Sequence, residues 1–452
     1  MSEIELLSHA QCRQALDWAA DAARALGIRD VELHVGAESS ALTRFANNTI
    51  HQNVSSRDVS LSIRTAVEGR TARASTNRLT RDDVRRAVEH AAALTRAAEI
   101  DPHLPSMLGP QSVTEAPRWL RRTAACTPDA RAHAVTRAIN CAEREGQVAA
   151  GIFSTGESAT AILNTNGLFC YHAETDAVFS MTAMAADSSG WAKRSACDVD
   201  AVDVDALAAS AVNKAKHSAN PVVIVPGRYR VVLEHAAVLD LVGQIFSDFS
   251  ATAIEEQRSF LTGKLGQRLF GERISIADDF SHPMQHGAPF DGEGMPRARL
   301  ALVEGGVVRE VACGRAAALR TGAQPTGHGL ALPNETGEMA ANIVMAGGEE
   351  TVESLVAGMD RGILVTRLWY IREVDPAAKM MTGMTRDGTF LVEDGRIMGG
   401  LRNFRFNQSV VELLNSVEAM SGACRTSGEE AFDMVVPALR AADFHFSEVT
   451  RF

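Results

Sequence analysis

Thirteen histidines and seven cysteines are the residues of this 452-residue chain whose types could hold a metal or carry a nucleophile. Their spacing decides how many can. His282 and His286 are four residues apart, which on a helix would place both rings on one face. Pro283, Gly287 and Pro289 break any such helix, so the pair is read as belonging to a loop. His328 lies in Pro325-Thr326-Gly327-His328-Gly329, a tight turn read as a surface loop, with a substrate-lining role as the sharper alternative. His235 opens an apolar helical stretch directly after Glu234. Asp240 follows five residues later, off the face that a shared ligand would need. The cysteines (Cys12, Cys126, Cys141, Cys170, Cys197, Cys313, Cys424) are odd in number, scattered and never spaced C-x-x-C. That pattern argues against a disulfide framework and against a cysteine-rich zinc cluster. Cys424 follows Gly422-Ala423 in what reads as a polar turn.

Other chemistries leave no trace. Gly263-Lys264 is followed by Leu265 where a phosphate loop needs Ser or Thr, no G-x-G-x-x-G follows a strand, and no G-x-S-x-G elbow is present. A net charge of −11 gives no electrostatic footprint for nucleic acid or an anionic membrane. No apolar run approaches the ~18 residues that span a bilayer. The first residues lack the basic and apolar regions of a secretory signal, so a cytoplasmic globular protein is expected.

The elements that must position these residues are read from periodicity. Ser8 to Leu26 carries apolar residues at helical spacing, with Ser8 as N-cap and Gly27 as the left-handed terminator. Alternating segments follow through residue 76, with a hairpin turn at Glu68-Gly69. Thr80 caps a helix to about Ala98, with Asp83 at the capping-box position. The pattern then recurs. Thr127-Pro128-Asp129 opens a helix to Gly146, strand-like segments follow with a type I′ turn at Asn166-Gly167, and a helix ends near Pro221. Two α+β units are therefore expected, 1–125 and 126–220, the second packed on the first. In the remainder, PVVIVPGRYRVVLE predicts two short strands and HAAVLDLVGQIFSDF a helix. Short β runs with Gly, Asn and Asp turns follow, and SVVELLNSVEAM predicts a late helix. The expected fold class is α+β, with a large, mostly antiparallel domain over 221–452.

Several ordered segments carry a family likeness: TRFANNTIHQNV at 43–54, NTNG at 164–167, YRVVLE at 229–234 and SFLTGKLGQRLFGERISIADD at 259–279. They continue with FDGEGMPRARLALVEGGVV at 290–308, QPTGHG at 324–329 and VVPALRAADFHFS at 435–447. With these the chain resembles the TldD/TldE (PmbA, modulator of DNA gyrase) metalloprotease family. The resemblance implies that in the TldD branch a helix after a strand like Val231-Val232-Leu233 bears H-E-x-x-x-H, two zinc ligands and a general base. Laid onto this helix, the pattern falls on Gly243, Gln244 and Asp248. Glycine has no ligand atom, and glutamine cannot take a proton near neutral pH. The branch also supplies a cysteine near its C-terminus. Cys424 stands in that region, although Arg425-Thr426-Ser427 depart from the usual run. One thiolate and one carboxylate do not make a zinc site.

The resemblance thus implies the TldE-like branch, with no catalytic residue and no metal or cofactor in this chain, and zinc only in a TldD-like partner. The implied assembly is a heterodimer with that partner, or a homodimer, around an unfolded or extended peptide, with no nucleic acid or membrane. The peptide-binding candidates are Thr326, Gly327, His328, Gly329 and Cys424. Two alternatives stay open: a self-sufficient peptidase or peptide-modifying enzyme built from Asp248, His235, His328 and Cys424, and a peptide-binding module without turnover.

Overall fold

The computed structural model describes residues 6–450. Helix α1 (His9–Ala25) starts where the Ser8 hydroxyl and the Gln11 side chain satisfy each other's free amides, and it stops at Gly27, whose φ is 76°. Three long strands follow, β1 (Asp30–Ala46), β2 (Thr49–Val67) and β3 (Arg70–Thr76). Glu68 and Gly69 both take positive φ (50° and 74°), as the two-residue turn between β2 and β3 requires. Thr80 accepts a hydrogen bond from the Asp83 amide to begin α2 (Arg81–Ala97). After the short α3 (Arg121–Ala124), Thr127 caps α4 (Pro128–Arg144) with proline in its first turn. Strands β4 (Val148–Asn164), β5 (Phe169–Met184) and β6 (Ser189–Ala196) and helix α5 (Val204–His217) complete this half.

The expected type I′ turn at Asn166-Gly167 is not formed, because only Gly167 has positive φ (90°). The connection is longer, and the Asn164 side chain shapes it by accepting hydrogen bonds from the Asn166 and Leu168 amides at 2.9 and 3.2 Å. The two α+β units also share one six-stranded sheet, ordered β3-β2-β1-β4-β5-β6. Its central seam pairs β1 with β4 from Glu32↔Asn164 to Phe45↔Gly151. Alternation puts odd-numbered β4 residues on one face. There Ala159, Ala161 and Leu163 pack with α1 and α2, and Ala149 and Phe153 with α4 and α5, so all four helices cover the same face.

The opposite face meets the C-terminal half. Ile162 and Cys170 pack on Phe290, and the Arg73 guanidinium donates to the Leu332 carbonyl. On this face Glu32 is buried between Arg64, Arg73 and His34. Burial alone would push its carboxyl up, but the His34 hydrogen bond and the two guanidinium charges hold it down at about 2.

Residues 221–233 form one strand, β7 (Gly227–Leu233), rather than two. Val222 only bridges to Leu401. Helix α6 (His235–Val242) follows β7 at once. Next come β8 (Ile276–Asp278), β9 (Leu300–Glu304), β10 (Val307–Val308), β11 (Ile343–Met345), β12 (Arg361–Asp375), β13 (Met380–Glu393), β14 (Arg396–Gly400) and β15 (Phe404–Ser409). The late helix is confined to Val410–Asn415. Val417–Met420, expected to continue it, is strand β16, held by pairing to β19 (Leu439–Val449). Strands β17 (Cys424–Thr426) and β18 (Met434–Val436) lie between them.

Strands β12, β7, β19, β15 and β13 pair in that order, and β13 pairs back to β12, closing a ring. Closure leaves no free edge in that ring, and Phe404, Phe406, Phe444 and Phe446 fill it in mutual contact. The second sheet, β10-β9-β8-β11-β18-β17, ends at β17. Among the described residues no helix is long and apolar enough to cross a membrane.

Candidate functional site

The helix after β7 changes character along its length. It is α-helical through Val242 and tightens to a 3-10 helix over Gly243–Asp248, against the expectation of a single helix. Gly243, Gln244 and Asp248 all sit in this tightened end, and each is committed to structure. A Cβ at Gly243 would lie 2.4 Å from Ala431 Cβ and 2.7 Å from Met434 Cε, so no imidazole fits there. The Gln244 amide donates to the Asp240 and Glu430 carbonyls at 3.0 and 3.1 Å. Asp248 is 4% exposed; it pairs with Lys379 at 2.5 Å and accepts the Phe260 amide at 3.1 Å.

The middle of the helix anchors a loop. Asp240 is wholly buried, and its Oδ1 accepts the Glu429 and Glu430 amides, each at 3.0 Å. Burial raises its carboxyl to about 6, more than these amides lower it. Gly428 lies so close that a Cβ would come 2.2 Å from Asp240 Oδ1, so the loop after β17 docks onto α6 only with glycine there.

Reactive residue types meet at the start of the helix. His235 is the first residue of α6, and Cys424 is the first of β17 rather than part of a turn. They sit close enough for each to shift the other's titration. His235 Nε2 also lies 3.2 Å from Ser421 Oγ and 3.3 Å from the Gly422 carbonyl. Burial by itself would push the Cys424 thiol up, but the His235 hydrogen bond and charge, with help from Thr426 and Arg194, bring it below its ordinary value. Burial likewise disfavours the imidazolium, yet Cys424, the Gly422 carbonyl and Glu234 raise His235. Both side chains are half-buried, so the pair is reachable.

The remaining candidates lie elsewhere. His328 is not on a surface: its side chain and that of Asp278 are fully buried, 3.2 Å apart. Asp278 in turn accepts the Ala341 and Asn342 amides at 2.7 and 3.0 Å. Thr326 Oγ1 faces His328 Nδ1 at 3.0 Å. Gly327 has φ 74° and leaves no room for a Cβ, which would fall 2.1 Å from the Pro296 carbonyl oxygen. The Gly329 amide donates to Asp291 Oδ2 at 2.7 Å. Gly327, His328 and Gly329 therefore form a buried turn that presents no side chain to a peptide, while Thr326 and Cys424 stay partly accessible. Of His235, Cys424, Asp248 and His328, only the first two are brought together.

Zinc fits neither end of this helix. The 243–248 set is spent on packing and on an ion pair. At the start His235 is the one imidazole; Asp240, five residues on, is committed to the Glu429 and Glu430 amides, and Glu234 is tied to Lys214 at 2.6 Å. Among the described residues no three His, Cys, Asp or Glu side chains converge as a ligand set.

Three family models match the chain in sequence order: PmbA/TldA metallopeptidase domain 1 over residues 31–95, the central domain over 108–219 and the C-terminal domain over 226–448. The chain belongs to the PmbA/TldD metallopeptidase family. A metalloprotease of Methanothermobacter thermautotrophicus is 24% identical over 299 residues, covering 60% of this chain and 63% of that protein. A metalloprotease TldD homolog of Buchnera aphidicola is 24% identical over 205 residues, 44% of this chain and 39% of that protein. The chain thus spans less than two thirds of the length of these relatives. The crystal structure of TldE from Thermococcus kodakarensis superposes with a TM-score of 0.87 at 20% identity, over 97% of this chain and all of that one. At that identity the likeness establishes the PmbA/TldD fold.

Proposed function

We propose that this chain is a TldE/PmbA-like subunit of a TldD/TldE-type metalloprotease, holding peptide while a TldD-like partner supplies the zinc. The carrying observation is the donor set around α6: one imidazole and one thiol at the start, and no free ligand at the end. Two donors fall short of the three protein ligands that a hydrolytic zinc needs, so the chain's own residues hold and orient rather than hydrolyse. The end strands β6 and β17 support a peptide-holding role. Each has pairing on one side only, and they approach each other through Lys193–Gly428 (2.7 Å) and Ser195–Arg425 (3.2 Å) side-chain bonds. An extended peptide adding to such an edge is gripped through its backbone, which makes recognition tolerant of sequence. In this reading the assembly is a heterodimer, or a homodimer for peptide holding, and works in the cytoplasm on unfolded peptides.

The test is reconstitution. Alone, the chain should cleave no unfolded polypeptide; mixed with a family member bearing H-E-x-x-x-H, it should form a complex and enhance cleavage. Failure to associate with any such member would overturn the reading. The contact between His235 and Cys424 favours a second reading, a self-sufficient thiol peptidase. That reading requires the isolated chain to cleave peptides and Cys424→Ala to abolish the activity.

A further inference from the structure

We propose that the cavity between β6 and the loops 117–120 and 283–286 is a carboxylate-binding site, in which Arg118 grips the acid group of a peptide's free C-terminus or of a small organic acid. The inference depends on neither reading above, because it concerns only this cavity and the groups that line it.

Five arginines are buried among the described residues. Three of them face a carboxylate: Arg64 pairs with Glu32 at 2.9 Å, Arg367 with Asp387 at 2.8 Å and Arg425 with Asp433 at 3.2 Å. Arg131 and Arg118 bond only to neutral oxygens. Arg131, at 1% exposure, is sealed between α4 and β4 on the Cys126 carbonyl and Thr155 Oγ1. Arg118 differs, because it is 8% exposed and lines a cavity of about 300 Å³. Two of its five N–H donors are spent, on the Gly287 carbonyl at 2.6 Å and on the Phe280 carbonyl. A guanidinium keeps its charge, and out of water beside neutral groups it is left short of an anion.

The cavity is shaped to receive one. It is exposed at Pro117, Ala201 and Pro283, which leaves a way in, and buried at Ser195, Gln285 and Arg425. Arg425 holds Ser195 Oγ and Gln285 Oε1, each at 3.2 Å, so this floor is set before any ligand arrives. Arg194 of β6 lines the same cavity, and its Nε is shut off from water without a hydrogen-bond partner. The one carboxylate among the lining residues, Asp198, is taken by Arg122 Nε at 2.6 Å. Glu174, whose charge also reaches Arg118, accepts the Gly287 amide at 2.7 Å. Asp433 is shared by Arg425, Ser195 and Ser427. A carboxylate suits the vacancy: it is planar like the guanidinium fork and brings the single charge that Arg118 lacks. Leu120 and Met284 offer apolar walls for a short aliphatic chain behind it.

The experiment measures binding to the full chain by calorimetry at low salt, with the tripeptide Gly-Ala-Leu, the same tripeptide ending in an amide, and propionate. The free acid should bind, and the amide should bind at least about tenfold more weakly, since it lacks the charge that Arg118 meets. Propionate bound at least as tightly as the tripeptide marks a site for small organic acids, tighter binding of the tripeptide marks a site for a peptide end, and both support the proposal. Arg118→Gln keeps donors but no charge and should weaken the free acid at least about tenfold, to the level of the amide. Should that variant not fold, Ala201→Glu decides. The position is exposed, and the added carboxylate should weaken the free acid severalfold while leaving the amide unchanged. Equal affinity for acid and amide, no binding of either acid, or an acid affinity unmoved by Ala201→Glu would each overturn the proposal.

Discussion

The two ends of the helix that follows β7 are built on opposite terms. At its end Gly243 is wedged against Ala431, Gln244 ties down the Glu430 carbonyl and Asp248 is sealed beneath Lys379. At its start His235 and Cys424 are half-buried, with the His235 ring against Ser421 Oγ and the Gly422 carbonyl. The polar groups at the end serve stability, whereas those at the start hold chemistry that the fold does not consume. A sequence position that looks like a ruined catalytic site can therefore be a sound structural joint, with the reactive residues one helix length away.

Breaking the buried end should cost most. Asp248→Ala leaves the Lys379 ammonium, 5% exposed, with the Glu373 carboxylate at 2.6 Å but the Phe260 amide without its acceptor, and should destabilise the fold by about 3 kcal/mol, read from the urea midpoint. Gly243→His must push Ala431 and Met434 aside; a loss of about 1–3 kcal/mol is expected, with no zinc bound in return.

The middle of the helix sharpens the contrast through pH. Asp240 titrates near 6 in the folded chain, against 3.8 for the unperturbed group, so between those values the folded state binds more protons than the unfolded one. Its contribution to stability therefore falls as pH rises from about 4 to about 6 and is level above that. Asp240→Asn keeps an oxygen for the Glu429 and Glu430 amides and should remove this part of the slope, measured by unfolding at a series of pH values. The smallest effect belongs to the other end: His235→Ala should change stability by no more than about 1 kcal/mol, since it removes a half-exposed ring from a helix start. A loss as large as that of Asp248→Ala would erase the distinction between the two ends.

What the sequence disclosed follows the range of the interactions. The caps at Ser8, Thr80 and Thr127 and the turn at Glu68-Gly69 depend on residues within three positions of one another, and they stand where expected. Asn166-Gly167 carried an equally strong local signal but yielded to Asn164, whose side chain organises a longer loop. Val417–Met420 followed a helical pattern yet became strand because β19 offered a partner. The family was legible from scattered segments. What packs on Gly243, Gln244 and Asp248 was not, because Ala431, Met434, the Glu430 carbonyl and Lys379 come from far along the chain. His328 looked exposed because its turn is rich in glycine; those glycines are there so that the backbone can pack inside.

The start of α6 offers one imidazole and one thiol, and no third donor converges there among the described residues. Zinc content of the purified full-length chain, measured by elemental analysis after equilibration with zinc and removal of the loosely bound ion, tests it directly. No stoichiometric zinc is expected. One tightly held zinc per chain, lost on Cys424→Ala, would contradict it.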